Sequence, residues 1–187
     1  MVLLYKIEIS HEPDLYNKYQ FVPVVVTESD RIVFEEVTEL EPMINIGQVY
    51  VESFLMYFLK KYFDSSLEEN KRRLCCYDGG RRCEFEEIKA FNFYTYESIE
   101  AMVRDLICTA NMLENDYENP LLGPIIEKYD IHYVHDPDSD VWMNGNFGEM
   151  KDHVYVVCDF YRRLAQELLT MMEQNPKAHL LNIEYGY

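Results

Sequence analysis

Residues 149–187 read EMKDHVYVVCDFYRRLAQELLTMMEQNPKAHLLNIEYGY: a long amphipathic run, a stop, and a short β-prone end. Met150, Val154, Val157, Tyr161, Leu164, Leu168 and Met171 recur at alternating steps of four and three, which aligns them along one side of a helix over about 149–174. The other side is polar. Asn175-Pro176 stops the helix, since proline lacks the N–H that the next turn needs, and Leu180 to Tyr187 is predicted to add a strand. The seam is expected to pack along the chain's own core or sheet, with a homodimer through helix 149–174 as the alternative.

Strand character dominates the other end of the chain. Val2 to Ile9, Tyr19 to Thr27 and Arg31 to Leu40 are rich in β-branched and aromatic residues, and Glu28-Ser29-Asp30 predicts an antiparallel turn. Pro23 cannot donate to a ladder, so an edge or bulged position is expected for it. Over about 46–63 the period changes: Val51, Phe54, Leu55, Phe58, Leu59 and Tyr62 fall on one broad helical face. Asn45 is the predicted N-cap, and Lys60 and Lys61 suit the negative end of the helix dipole.

Further along, Arg72 to Tyr77 and Arg82 to Ile88 flank Asp78-Gly79-Gly80-Arg81, a hairpin signal because glycine accepts positive φ. The strand is read on through Phe91 and Phe93. Thr95 then caps a helix over Tyr96 to about Asn115, striped by Ile99, Met102, Val103, Leu106, Ala110 and Leu113. Asn119-Pro120 opens a short helix toward Tyr129, interrupted at Gly123-Pro124, and Ile131 to Val134 reads as a strand. His135 to Gly148, with its Pro, Asp, Gly and Asn, reads as loop. The expected fold is α+β, one domain over 1–187, with a mostly antiparallel sheet covered by about three main helices.

With 48% hydrophobic and 14% aromatic residues the chain carries enough apolar material to fold despite its charge. That charge is −17, from 34 acids against 17 bases. Residues 1–59 hold 10 acids and 3 bases, residues 60–89 hold 7 and 8, and residues 90–187 hold 17 and 6. A polyanion would be repelled by such a field, so no direct nucleic-acid partner is expected. The start of the chain has no basic leader followed by a long apolar run, and 49–63 is too short and too interrupted to span a bilayer, so neither secretion nor a membrane is expected. Five cysteines without a paired framework fit free thiols in a reducing compartment, and a cytoplasmic location is expected.

Two clusters come nearest to site chemistry. Cys75, Cys76 and Cys83 flank the central hairpin, but adjacent cysteines point to opposite faces of a strand, which is not zinc-knuckle spacing; small half-buried thiols are the expected reading. His132 and His135 precede Asp136, Asp138 and Asp140. Counting from Asp136, however, position six is Val141 and position twelve is Phe147, where a helix-loop-helix calcium loop needs Gly and Glu. No cofactor is therefore expected, and His132, His135 and Asp136 are the only metal candidates. The same segment presents Trp142 and Phe147 among Gly and Asn, a composition suited to recognition. No phosphate-binding glycine loop or nucleophile elbow occurs, and no pair of carboxylates stands out as a general acid and base.

Charge thus speaks to partners more directly than to chemistry. The expected function is an acidic binding or inhibitor protein that engages a basic protein surface, with Asp136, Asp138, Asp140, Trp142 and Phe147 as contacts. Carboxylates at 35, 36, 39 and 41 and at 114, 116 and 118 form further patches. Alternatives are a small metal- or ligand-dependent enzyme using residues 132–140, or a homo-oligomeric scaffold.

Overall fold

The computed structural model describes residues 6–12, 17–26, 37–71, 92–127, 132–136, 141–145, 150–152 and 154–186. Its main sheet is antiparallel in every pairing among these residues. Strand β1 (Lys18–Val26) pairs on one side with both β2 (Val37–Glu39) and β3 (Ile44–Gly47). On its other side lies β7 (Leu180–Gly186), which pairs in turn with β4 (Asn92–Thr95). The fold is α+β. A separate two-stranded ribbon joins β5 (His132–Asp136) to β6 (Val141–Gly145).

Pro23 is therefore neither at an edge nor in a bulge; it lies in a central strand opposite Leu181. It is tolerated there because its carbonyl accepts from the Leu40 amide at 2.8 Å, which places the Pro23 nitrogen on the same side, where β1 passes from β3 to β2. The missing donor falls in the gap between two partner strands. Of the strand expected over Val2 to Ile9, residues 6–9 are not strand and residues 2–5 lie outside the described residues; the chain bridges to β3 just afterwards, at Ser10 opposite Asn45. The turn at 28–30, the Asp78-Gly79 hairpin and Cys75, Cys76 and Cys83 lie outside the described residues.

Helix α1 follows β3 in three pieces, Gln48–Tyr50, a π-helical turn Val51–Leu55, and Met56–Tyr62. Its N-cap is Gly47, not Asn45, which belongs to β3 and is buried at 1% exposure. The strand wins because Asn45 pairs with Gln20 and Ile46 packs inward opposite Tyr19. Lys60 and Lys61 do occupy the last turn. Helix α2 (Tyr96–Asn115) is capped by Thr95, whose hydroxyl accepts from the Ser98 amide at 3.1 Å. A 3-10 turn Pro120–Leu122, capped by Asn119, leads into the short α3 (Gly123–Glu127). A second 3-10 turn, Met150–Asp152, precedes α4 (Val154–Gln174).

The core lies between one face of the sheet and these helices. Alternation along the strands sends Tyr19, Phe21, Ile44, Ile46, Tyr94, Leu181 and Ile183 toward Ile99, Met102, Leu106, Leu164, Leu168 and Met171, all at 2% exposure or less. Each fully buried Leu, Ile or Phe stabilises the fold by roughly 1.5–3 kcal/mol relative to exposure. The seam of α4 is thus used inside the chain: of its seven positions only Val154 is less than fully buried, and a dimer would have to use another face.

Buried hydroxyls serve helix carbonyls here. Tyr161 donates to the Phe54 carbonyl in the π-helical turn at 2.7 Å, and Tyr94 donates to the Leu59 carbonyl at 2.6 Å. Tyr161 also meets Phe58 edge-on, with ring centroids 5.5 Å apart.

Candidate functional site

Helices α2 and α4 run antiparallel. The Tyr96 hydroxyl donates to the Asn175 carbonyl at one end of the pair, while the Cys158 thiol meets the Ala110 carbonyl and Arg162 grips Glu114 toward the other. At this second end Glu114 lies in the last turn of α2, and Asp116 and Glu118 follow it, all three exposed, with no basic residue in that last turn. Carboxylates there oppose the negative pole of the helix dipole.

The geometry of each carboxylate differs. Arg162 makes a two-pronged bond to Glu114, at 2.6 and 2.8 Å, and that bond, with the guanidinium charge behind it, holds the carboxyl below the ordinary value. Its remaining bond goes to the Asn111 side chain at 2.9 Å. Asp116 accepts from the Asn119 amide at 2.9 Å, which ties the carboxylate to the cap of the following 3-10 turn. On the neighbouring elements two large apolar side chains are exposed, Leu121 on the 3-10 turn at 69% and Tyr155 in the first turn of α4 at 64%. Their neighbours in sequence are buried: Leu122 and Val156 both enter the core.

Elsewhere on the described surface, three cations are paired locally. Lys61 bonds Asp105 at 2.6 Å, Lys71 bonds Glu68, and Arg163 bonds Asp159 while reaching the Ile7 carbonyl. Two thiols are free among the described residues, Cys108 and Cys158; burial, with Glu114 adding to it, pushes the Cys158 thiol up to about 11.

The residues singled out in sequence are only partly gathered. His132, His135 and Asp136 lie on β5, where His132 pairs with Gly145, His135 with Trp142 and Asp136 with Val141. The expected loop is corrected at 135–136 and 141–145, which are strand, and Val141 and Trp142 are strand formers. Asp138, Asp140 and Phe147 lie outside the described residues. Sequence reasoning found the carboxylates at 114, 116 and 118 but missed Leu121 and Tyr155. The signals were present, since Tyr155 falls off the α4 stripe and Leu121-Leu122 cannot both face inward.

Against family models, curated proteins and solved structures, the chain has no match. Among the described residues, no helix is long and apolar enough to cross a membrane.

Proposed function

We propose that this chain is a binding protein, acting as an inhibitor, that docks the acidic end of its α2–α4 pair on the basic surface of another protein. The supporting observation is the exposure of Leu121 and Tyr155 on the elements next to the end of α2 where Glu114, Asp116 and Glu118 are exposed. Exposed apolar anchors within a charged rim are what a recognition surface needs, and rim charge of one sign selects and steers a partner of the other. Asp116 and Glu118 lie at the negative pole of the helix dipole, so their charge is not there to stabilise the helix. The partner is a protein with a cationic groove, such as one that handles nucleic acid in a nuclease, toxin or defence protein. Asp136, Asp138 and Asp140, with Trp142 and Phe147, belong to the same reading as a second acidic contact.

Affinity capture from the source cell tests this. The wild-type protein should retain a basic protein at low salt and release it at high salt. Asp116→Asn/Glu118→Gln and Leu121→Ser/Tyr155→Ala should each lose that protein while keeping the wild-type melting temperature within a few degrees. Glu97→Gln/Glu173→Gln, at the other end of the helix pair, should retain it. Retention by all variants, or absence of any basic partner, overturns the proposal.

A further inference from the structure

The face of the sheet turned away from the helices carries an unusual row. Gln20 of β1 pairs in register with Asn45 of β3 on one side and with Glu184 of β7 on the other. Asn182, two residues before Glu184, shares that face. All four are buried, with exposures of 2%, 1%, 5% and 0% in the order Gln20, Asn45, Glu184, Asn182. Each amide nitrogen has a bond: Gln20 Nε2 to Met43 Sδ, Asn45 Nδ2 to the Glu12 carbonyl, Asn182 Nδ2 to Glu184 Oε2. Yet Gln20 Oε1, Asn45 Oδ1 and Asn182 Oδ1 are buried with no partner among the described residues.

The row is therefore rich in acceptors and short of donors. Buried unpaired acceptors are costly, and native structures supply a partner from protein, water or ion. Water or a metal ion would need room among atoms already sealed from solvent. A proton on Glu184 needs none. Its side chain lies beside Gln20 across a register pair, where Cβ atoms stand about 4.5–5.5 Å apart, within reach for two four-atom side chains.

We propose that Glu184 is a proton-binding site built into the sheet, its neutral carboxyl donating to Gln20 Oε1, so that proton loss loosens the seating of the C-terminal strand β7. The charges facing it from the described elements fit this. Glu39 of β2 repels the ionised form, and Lys18, on the same face of β1 two residues before Gln20, is not among the groups that shift Glu184. Burial, seconded by Glu39, pushes the Glu184 carboxyl up to about 7, against the Asn182 bond that favours the charged form. Glu39 is itself raised by burial.

The linkage has a definite sign. A carboxyl whose folded pKa exceeds its unfolded value of 4.5 adds stability that is complete below pH 4.5 and is lost as pH rises to about 7. The gap between those values bounds the change in the folded-to-unfolded ratio at roughly 300-fold. The link acts on folding and does not depend on the docking surface.

Denaturant unfolding of the wild-type protein and of Glu184→Gln from pH 5 to 9 tests it, together with a carbon-detected NMR titration of Glu184 in the intact protein. The amide of Glu184→Gln is neutral at every pH and keeps a donor for Gln20. Its folding ratio should exceed the wild-type ratio by tens- to hundreds-fold at pH 8, and the excess should vanish toward pH 5. The NMR midpoint should lie well above 5.5. An NMR midpoint between 4 and 5, as expected if water satisfies the row, or stabilities that run parallel from pH 5 to 9, would overturn it.

Discussion

The α2–α4 helix layer and the outer face of the sheet are both closed to solvent, but they are closed with opposite materials. Between the helices the contacts are Ile99, Met102, Leu106, Leu164, Leu168 and Met171, groups with no hydrogen bonds to satisfy. On the outer face, Val22, Val24 and Phe93 form a small apolar cluster beside Gln20, Asn45, Asn182 and Glu184. The first region is stabilised by volume and tolerates nothing missing. The second depends on partners, so its stability follows protonation and the completeness of its hydrogen bonds. A single fold thus holds a rigid half and a condition-dependent half.

The contrast breaks most visibly in the helix layer. Leu164→Ala and Leu168→Ala, each removing a fully buried side chain, should cost about 2–5 kcal/mol apiece in denaturant unfolding, with little change between pH 5 and 8. A loss below 1 kcal/mol would mean that the seam is not core. Next comes the sheet's outer edge. Asn70, fully buried, accepts from the Phe93 amide and donates to the Phe93 carbonyl, both at 2.9 Å, and so stands in for a further strand beside β4. Asn70→Ala should cost about 1–3 kcal/mol and speed hydrogen exchange at the Phe93 amide. Asn70→Asp keeps the acceptor alone and should recover only part of that loss. The smallest effect on stability is expected at the acidic end of the helix pair, where Asp116→Asn/Glu118→Gln should leave unfolding unchanged or slightly improved, since it removes charge from the negative pole of a helix.

Much of the first region was legible in the sequence. The α2 and α4 stripes, the Thr95 cap and the stop at Asn175-Pro176 follow from the 3.6-residue period and from local backbone chemistry, which tertiary contacts here reinforce. The second region was not. Polar residues alternating with apolar ones along β1, β3 and β7 signal a wet face, and nothing in the one-dimensional pattern says that Gln20, Asn45, Asn182 and Glu184 are covered. Asn45 misled for a related reason: its residue type favours a helix cap, and only its pairing with Gln20 decides for the strand. Strand residues 141–145 were misread because the Pro-, Asp- and Asn-rich composition was averaged over the whole of 135–148. The carboxylates of the docking surface were visible as charge. Leu121 was not visible as an anchor, because its exposure depends on which of two adjacent leucines the 3-10 turn directs into the core.

The most direct measurement of the proposed docking is the association rate constant between this protein and its captured partner, followed from low to high ionic strength for the wild-type protein and for Asp116→Asn/Glu118→Gln. Steering by a fixed acidic rim should make the wild-type rate constant fall at least tenfold as salt rises through the range where the Debye length shrinks from about 30 to 8 Å. The charge-neutralised variant should start slower and vary far less. A wild-type rate constant independent of salt, or equal salt dependence in the two proteins, would contradict the assignment of this surface as the partner-binding face.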